Sequence, residues 1–559
     1  MIDSPGSSAA SSAAAGERVA AIAYLGAIVC LVLARAALTH DLPLIITYAP
    51  HDDSLYVMRA FHLLQGEAFG PYDSRTLAKL PGMSFWLAGA RTLGLPHQLG
   101  VEALYLLAGL YMLSGLARAG AGRLLRASAF ALYVLNPVTM GADWLRVLRE
   151  PLGTGLFVVQ LAAMLHLLAP SRARPWPHVA LLAIGFAFSL LLREDDRLLW
   201  GLLAAFALAL LRAGTAWPVV LAALLAPAGG ALLAEQAARA YVQTHYGLPI
   251  LHDMSEGEFP RMMAAIRGIE SGTDNRLVMA PQKTLQQLRA EVPQFAPVVD
   301  ALPPVGRNTL SCRLQGVCSE WSNGWMPFWI KDAAAGVGST PDLKAAQSYF
   351  GGVREGIERA CGSGALECAH RGGGLIPPFE LRWTRALVAA LAAIAGMALA
   401  PDPYTVTEPP LLYNVPPRLG RAFHSVTMTD SYDSQVQAGA TGAPEARAGA
   451  NPFAAWRAPL AALLQPLAAL VIVAGFAALL WRWALHPDVP ESPLFWIAAV
   501  FFAFALLRLA ALAHVSVFLG PFDSRIVFSV YSAALLLAPA ALADAWRARR
   551  AARAAGLPA

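Results

Sequence analysis

Hydrophobic residues fall into long runs along the chain, separated by short polar or charged segments. A run of about 20 apolar residues allows an α-helix to cross the hydrocarbon core of a bilayer. Ten runs predict spanning helices, near residues 19–38, 100–117, 127–144, 151–168, 177–192, 198–212, 217–236, 459–481, 493–516 and 526–544. A shorter run, 82–95, is interrupted by Arg91 and predicts a half-buried or re-entrant segment. The pattern therefore predicts an all-α polytopic membrane protein.

A long polar stretch, residues 237–458, separates the first seven runs from the last three. It contains amphipathic patterns such as "TLQQLRAEV", which predict a mainly helical insertion. Within it, residues 384–400 form another apolar run, for which we expect an interfacial helix lying on the membrane. A crossing at this point is the alternative, and it would invert the topology of everything that follows. Residues 1–18, rich in Ser, Ala and Gly, are expected to be a disordered tail.

Basic residues orient the chain, because Lys and Arg concentrate in cytoplasmic loops. Clusters between or after the runs contain Arg118, Arg123, Arg126, Arg172, Arg174, Arg212 and the C-terminal stretch "AWRARRAARAA" within the tail 545–559. Placing these in the cytoplasm puts the segments "HDDSLY", "DWLRVLRE", "REDDR" and "GPFDSR" on the opposite, outer side, together with the insertion. The expected domains are an N-terminal transmembrane module, 19–236, with an outer loop, 39–81; the periplasmic insertion; and C-terminal transmembrane helices, 459–544.

The composition agrees with a membrane protein and excludes several functions. The chain has 559 residues, 57% of them hydrophobic and 14% charged, whereas soluble domains carry about 25% charged residues. A net charge of +5 is small for this length and does not indicate nucleic-acid binding. The sequence has no Walker loop, GxSxG elbow or HExxH motif, so an ATPase or zincin has no support.

Four of the five cysteines lie in the insertion as two close pairs, Cys312 with Cys318 and Cys361 with Cys368. Even numbers of closely spaced cysteines indicate disulfides in an oxidising compartment. This prediction agrees with the outer position deduced from charge. Zinc is the alternative, but the pairs lack CxxC spacing and have no neighbouring HxxxH. Cys30 lies in the first run and is interpreted as a small apolar residue.

Two adjacent carboxylates, Asp52 and Asp53, follow His51 just outside the first run. The simple interpretation is a helix N-cap before "SLYVMRAFHLL", with acidic groups near the positive end of the helix. One aspartate would suffice for that, so the pair favours a functional site. Lys79 precedes an apolar piece and is either an interfacial lysine whose ammonium reaches water or a specific contact.

Arginines on the outer side run against the usual charge bias. Arg146 and Arg149 are three residues apart, so they share a helix face. Guanidinium groups match phosphate oxygens bidentately, although a salt-bridge cluster with Asp143 and Glu150 is the structural alternative. The segment "REDDR", Arg193 to Arg197, joins two runs almost without other residues, and a self-neutralised turn is its simpler interpretation. The segment "GPFDSR" contains a weaker version of this Asp and Arg pattern, and we interpret it as a solvated loop.

The stretch from Asp52 to Leu87 resembles the first outer loop of GT-C superfamily glycosyltransferases, which take a sugar from a polyprenyl-phosphate carrier. It has the acidic pair, Tyr56 four residues after the first acid, a helix, and a turn at "KLPG". Members usually have Lys directly before Pro, whereas Leu80 intervenes here. The stretches "NPVTMGADWLRVLREPL", "LLREDDRLLW" and "WIKDAAAGVG…IERACGSGALEC" resemble parts of poorly characterised bacterial GT-C-like proteins.

The resemblance implies a GT-C-like transmembrane fold and a role for each charged group. Asp52 would activate the acceptor, with Asp53 in support, and a divalent cation such as Mg²⁺ or Mn²⁺ would lie at Asp52 and Asp195. The implied substrate-binding residues are Tyr72, Lys79, Arg146, Arg149, Glu150, Arg193, Glu194 and Arg197. The arginines among them would hold the phosphate of the donor.

The expected protein is a multi-pass glycosyltransferase of the bacterial inner membrane, with its active site facing the periplasm. It would transfer a sugar from a polyprenyl-phosphate donor to a glycan, lipid or protein acceptor. A transporter or flippase of a lipid-linked molecule is one alternative, although transporters usually place charges near the bilayer midplane and carry internal repeats. A non-catalytic membrane scaffold is another, and it would not need Asp52 and "REDD" to converge.

Overall fold

The computed structural model describes residues 6–46, 51–169, 174–273, 275–307, 309–369, 376, 379–401, 415–429, 451–486 and 489–555. These ranges contain α-helices and short 3-10 helices but no β-strand longer than an isolated bridge. The α-helices are α1 Gly6–Thr39, α2 Asp53–Leu64, α3 Gly82–Thr92, α4 His97–Arg118, α5 Arg123–Val134, α6 Ala142–Leu145, α7 Arg149–Leu168, α8 Trp176–Leu192, α9 Leu199–Arg212, α10 Trp217–Tyr246, α11 Glu258–Arg267, α12 Gln282–Glu291, α13 Ala296–Asp300, α14 Leu310–Gln315, α15 Met326–Gly336, α16 Leu343–Gly362, α17 Thr384–Leu399, α18 Pro417–Thr427, α19 Arg457–Leu485, α20 Pro493–Leu519 and α21 Phe528–Ala554.

Eight helical segments in the described ranges are long and apolar enough to cross a membrane. Seven of them contain predicted runs: α1, α4, α7, α10, α19, α20 and α21. The eighth, Leu381–Leu399, contains α17. The prediction of an all-α polytopic membrane protein is therefore confirmed.

The predicted span 127–144 is wrong as a single helix. Helix α5 ends at Val134, and a 3-10 helix, Pro137–Met140, follows before α6. The break has a local cause, because the residue before a proline is pushed out of the helical region. Asn136 stands at that position, and its side-chain oxygen accepts a hydrogen bond from the backbone N–H of Val138, 3.1 Å away.

Helices α8 and α9, predicted as the spans 177–192 and 198–212, are too short to count among the candidate spans. Their connecting turn, Glu194–Leu198, contacts Arg508 of α20 through ion pairs. Arg508 lies eleven residues before the end of α20, which corresponds to about 16 Å at 1.5 Å per residue. The turn therefore lies alongside α20 rather than beyond its end, which explains the short helices.

The start of α1 and the position of α17 bear on two expectations from the sequence. Helix α1 begins at Gly6, so the expectation of disorder is wrong for residues 6–18. Helix α17 starts beside Phe518 at the end of α20, where the ring of Trp383 packs edge-on. The following helix, α18, packs on α2 and α3, and Arg457 at the start of α19 donates to the carbonyl of Leu38. Further along α17, Ile394 and Ala398 pack against Leu509 and Leu512 of α20. The interfacial position of α17 stays a prediction.

The centre of the bundle is formed by α7 and α21, the most deeply buried candidate spans. Helix α7 packs against α4, α8, α20 and α21, and α21 packs against α5 and α19. The site end of the bundle, as we name it, is the end at which α1 and α8 finish and α2, α7 and α21 begin, and α20 continues past it to Leu519. The segments "HDDSLY", "DWLRVLRE", "REDDR" and "GPFDSR" all lie there.

The insertion forms a separate apolar core between α11, α12, α15 and α16. Disulfides join Cys312 to Cys318 and Cys361 to Cys368, the pairing expected from their spacing. Helix α15 docks this domain on the outer loop, because Asp332 accepts hydrogen bonds from Ser74 (2.5 Å) and Arg75 (2.6 Å). The ring of Phe328, one turn earlier, lies 3.9 Å from that of His51. The insertion therefore covers the loop that carries Asp52.

Candidate active site

Asp52 occupies the N-cap position of α2, but its side chain makes no capping hydrogen bond to the described residues of that helix. The carboxylate faces two cations instead. Nζ of Lys79 lies 3.9 Å from Oδ1, and Nη2 of Arg525 lies 3.4 Å from Oδ2. Nε of Arg525 also contacts Asp523 at 2.9 Å. We call Asp52, Lys79, Asp523 and Arg525 the open group, because all four side chains remain partly exposed.

The interpretation of "GPFDSR" as a solvated loop is wrong for Arg525. Its partner, Asp52, is distant in the sequence. Only the packing of α20 and α21 in the bundle brings this loop to Asp52. The nearby Asp523 and Arg525 are a weak signal for this contact, because they repeat the Asp and Arg pattern of "REDDR". Nothing else in the sequence distinguishes the segment from a solvated turn.

Asp53 serves a different purpose from its neighbour. Its side chain is fully buried, and Arg146 donates to both of its oxygens, at 2.7 and 3.0 Å. The backbone supports this pair, because the N–H of Ile45 donates to the carbonyl of Leu145 at 2.7 Å and pulls the two segments together. A bidentate buried pair of this kind positions the start of α2, so Asp53 supports Asp52 rather than sharing its exposure.

Arg149, at the start of α7, links the open group to the "REDDR" turn. It donates to Oε2 of Glu194 and lies 3.8 Å from Glu150. Tyr56 is buried beside it, and its hydroxyl has no hydrogen-bond partner among the described residues. A buried hydroxyl without a partner is costly, which suits a position that a bound substrate completes.

A second set of charges is paired at shorter distances. Both oxygens of Asp195 accept hydrogen bonds, from Nε of Arg193 at 2.9 Å and from Nη2 of Arg508 at 2.6 Å. Nη1 of Arg508 lies 3.2 Å from Asp196, and Arg508 is only 2% exposed. We call Arg193, Asp195, Asp196 and Arg508 the closed group. Arg193 also lies 3.2 Å from Glu150, which connects this group to Arg149.

The electrostatic environment keeps the central carboxylates ionised. Burial alone would raise the pKa of Asp52, but Lys79 and Arg525 outweigh it and hold that pKa below its ordinary value. Burial is likewise outweighed at Glu194, whose pKa is lowered by Arg149. Asp523 differs, because burial raises its pKa to about 6 despite the neighbouring Arg525. Asp52 is therefore a carboxylate at neutral pH and can accept a proton.

A divalent cation shared by Asp52 and Asp195 does not fit these contacts. Both oxygens of Asp195 already hold guanidinium groups, and Asp52 faces an ammonium and a guanidinium that would repel a metal. Within the described ranges, no three His, Cys, Asp or Glu side chains cluster in a way that could hold a metal ion. We therefore assign no metal to these residues.

Two of the expected substrate-binding residues lie away from this convergence. The ring of Tyr72 packs near Tyr246, 6.3 Å between centroids, among apolar side chains of the outer loop and the insertion. Arg197 is 62% exposed and lines a separate pocket of about 800 Å³. The expected residues that the structure brings together are Asp52, Asp53, Lys79, Arg146, Arg149, Glu150, Arg193, Glu194 and Asp195.

Sequence reasoning missed Arg508 and His252. Arg508 stands inside an apolar run, and an ionisable residue in such a run is itself a signal of function or of a buried partner. His252 lies in the insertion without any motif around it, and its position 3.6 Å from Glu194 follows only from the docking of that domain.

Comparisons with known proteins are distant. No family model matches the chain, and no curated protein matches it. The crystal structure of ArnT from Cupriavidus metallidurans in the apo state is 12% identical, with a TM-score of 0.29, and the match covers 92% of this chain and 78% of that one. The structure of ArnT bound to undecaprenyl phosphate is 13% identical, with a TM-score of 0.29 and coverage of 91% and 77%.

At this level of similarity the comparisons assign no function to the chain. What the structure defines is a class: an all-α polytopic membrane protein that gathers carboxylates and guanidinium groups at one end of its bundle, beneath a disulfide-bearing insertion. The function depends on the geometry of that site.

Proposed function

We propose that the protein is a GT-C-type glycosyltransferase of the bacterial inner membrane, with the site end facing the periplasm. It transfers a sugar from a polyprenyl-phosphate carrier to an acceptor hydroxyl. The observation that carries the proposal is the state of Asp52: an ionised, partly exposed carboxylate at an N-cap position that does not cap its helix. A purely structural aspartate at this position would bond to the helix N-terminus.

The chemistry is a displacement at the anomeric carbon. The acceptor oxygen forms a bond to that carbon while the bond to the phosphate oxygen breaks, and the electron pair leaves with the phosphate. Asp52 takes the proton of the acceptor hydroxyl as general base. Lys79 and Arg525, on either side of Asp52, stabilise the anionic leaving group.

The pocket lined by Arg197 supports a lipid-linked substrate. Its walls combine apolar side chains of the bundle, Leu191 and Trp200, with charged groups that include Arg197 and Arg239. Leu80, the neighbour of Lys79 in the sequence, also lines it. An amphipathic pocket of about 800 Å³ at the boundary of the bundle and the insertion suits the first part of a lipid tail and its headgroup.

The proposal is tested by assaying transfer with the purified full-length protein in nanodiscs. A panel of radiolabelled polyprenyl-phosphate sugars is offered together with an extract of envelope glycans and lipids as acceptor. We expect one donor to lose its label to an acceptor in a time-dependent way. In parallel, mass spectrometry of envelope glycans from cells with and without the protein should show one modification lost. No transfer from any donor and unchanged envelope glycans would refute the proposal.

A further inference from the structure

The backbone of the loop that carries Lys79 is held by donors from the insertion. The backbone N–H of Asp253 donates to the carbonyl of Leu77 at 3.0 Å. The ring nitrogen Nε2 of His252 lies 3.0 Å from the carbonyl oxygen of Ala78. Both donor residues are less than one-tenth exposed, so these hydrogen bonds are shielded from water.

The next carbonyl is held from the other side. Nη1 of Arg59, on α2, donates to the carbonyl oxygen of Lys79 at 2.9 Å. Arg59 is itself 1% exposed, and its guanidinium lies over the ring of Phe69 at 4.2 Å. Three consecutive carbonyls of one loop are therefore held by buried donors. A lysine whose only role is to reach water from the membrane interface needs no such support.

The hydrogen bonds of His252 define its tautomer. The carbonyl oxygen of Ala78 can only accept, so Nε2 carries a proton. In the neutral ring, Nδ1 then accepts from the hydroxyl of Ser255, 2.7 Å away. That N–H points at the carbonyl of Ala78, and Oε1 of Glu194 lies 3.6 Å from the same nitrogen. The carboxylate oxygen of Glu194 is buried and has no hydrogen bond within the described part of the chain. One imidazole thus lies between the Lys79 loop and the "REDDR" turn.

The insertion fixes His252 in turn. Lys331 of α15 forms an ion pair with Asp253, and both side chains are 2% exposed. Asp332, the next residue of α15, holds Ser74 and Arg75 at the other end of the same loop. The insertion therefore binds the loop on both sides of Thr76, at Ser74 and Arg75 and at Leu77 and Ala78.

We propose that His252 is a positioning residue, which holds Lys79 opposite Asp52 and makes the insertion a working part of the site. The proposal rests on the proposed function for the role of Lys79, but its main test does not require any transfer activity. Loss of the Nε2 donor should let the loop move, so that Lys79 becomes more reactive towards small reagents and less well placed beside Asp52.

The test is pulse labelling of lysine amines in the full-length protein in nanodiscs, read by peptide mass spectrometry. The chain has only four lysines, Lys79, Lys283, Lys331 and Lys344. The exposed Lys283 and Lys344 serve as internal references for reagent and folding. In His252→Met, which keeps volume but removes the donor, labelling of Lys79 should rise about fivefold relative to these references, because one buried hydrogen bond is lost.

Three further variants separate positioning from packing. His252→Gln retains an N–H near the position of Nε2 and should restore labelling of Lys79 to near the wild-type level. His166→Met removes another buried histidine, at the far end of α7, and should leave Lys79 unchanged. Ser255→Ala removes the partner of Nδ1 and should raise labelling of Lys79 by a smaller factor. If His252→Met does not fold, the labelling of Lys79 in Ser255→Ala tests the positioning role instead.

Unchanged labelling of Lys79 in folded His252→Met, or in Ser255→Ala if only that variant folds, would overturn the proposal. An increase that His252→Gln fails to reverse would also overturn it, because filled volume rather than the donor would then matter. If transfer is measurable, His252→Met should lower kcat more than it raises KM. A protein without transfer but with the labelling pattern above would refute the proposed function and leave the positioning role in place.

Discussion

The open and closed groups lie on either side of Arg149 and are built differently. In the open group, the cations lie 3.4 and 3.9 Å from the oxygens of Asp52, and 24% of its side chain is exposed. In the closed group, Asp195 accepts guanidinium hydrogen bonds at 2.6 and 2.9 Å, and Arg508 is almost completely buried. Asp195 is as exposed as Asp52, at 25% of its side chain, so the two groups differ in how closely the carboxylate is paired and in how deeply its cation is buried.

This difference in pairing separates the charges that we propose for catalysis from the charges that hold the bundle together. A buried ion pair is costly to break, because the remaining charge is left without solvent or partner. A partly exposed pair at longer distance contributes little to stability, about 0–1 kcal/mol. The closed group attaches the α8–α9 turn to α20. The open group is the one that the proposed function uses for catalysis.

The largest expected effect on stability comes from breaking the closed group. Arg508→Met leaves the buried Asp196 without its cation, while Asp195 keeps only its contact with Arg193. Removal of one partner from a buried pair typically costs about 3–5 kcal/mol. We expect little correctly folded protein, measured by size-exclusion profile and by thermal unfolding in detergent. A variant as stable as the wild type would show that the closed group does not support the fold.

The matched change in the open group is Arg525→Met. It should lower transfer by about 10- to 100-fold, because a charge-assisted contact of about 1.5–3 kcal/mol is lost. Its thermal stability should change little, since Arg525 is partly exposed and 3.4 Å from Asp52. Transfer and unfolding measured on the same preparation give both values. Equal loss of stability in Arg525→Met and Arg508→Met would remove the distinction between the groups.

Tyr56→Phe tests whether the buried hydroxyl of Tyr56 binds substrate. The hydroxyl of Tyr56 is buried without a partner in the described ranges, so its removal should leave stability unchanged or slightly higher. If the hydroxyl bonds to substrate, transfer should fall by about tenfold, the equivalent of about 1.4 kcal/mol. Unfolding temperature and initial rate are the two measurements. Lower stability with full transfer would show that the hydroxyl is structural.

The smallest expected effect concerns Asp523 and pH. Its pKa is raised in the folded protein to about 6, above the unfolded value of 3.8. The folded state therefore binds more protons between these values, and stability from this group is present at low pH and lost as pH rises through 6. Asp523→Asn should slightly raise the unfolding temperature at pH 7.5 and not at pH 3.5. The opposite pH dependence would contradict the raised pKa.

Local patterns in the sequence predicted much of the fold. Apolar runs located α7, α20 and α21, because a spanning helix needs only length and hydrophobicity. The spacing of Cys312 and Cys318 was likewise enough to predict their pairing, since neighbouring residues meet in any compact loop. By contrast, Asn136–Pro137 broke a predicted span, although the proline was visible. The overall apolarity of residues 127–144 masks that local signal.

The site was harder to predict, because its contacts join distant segments. Asp52 and Glu194 could be identified as outer charges by parity, but their link through Arg149 depends on how α2 packs near α7. The contact between Arg525 and Asp52 joins residues far apart in the chain, and the neighbouring Asp523 and Arg525 are its only local signal in the sequence. Arg197 belongs to the "REDDR" segment and Tyr72 to the outer loop, so the sequence places both beside the candidate site residues. The structure turns both towards other surroundings.

The most direct test of the account compares Asp52→Asn with Asp53→Asn. Asp53→Asn disturbs the buried pair with Arg146 and should lower the unfolding temperature. Asp52→Asn keeps shape and breaks no capping bond, so it should fold normally. Its transfer should fall by about 100- to 10,000-fold, because an amide cannot act as the general base. Wild-type transfer in folded Asp52→Asn would contradict the account.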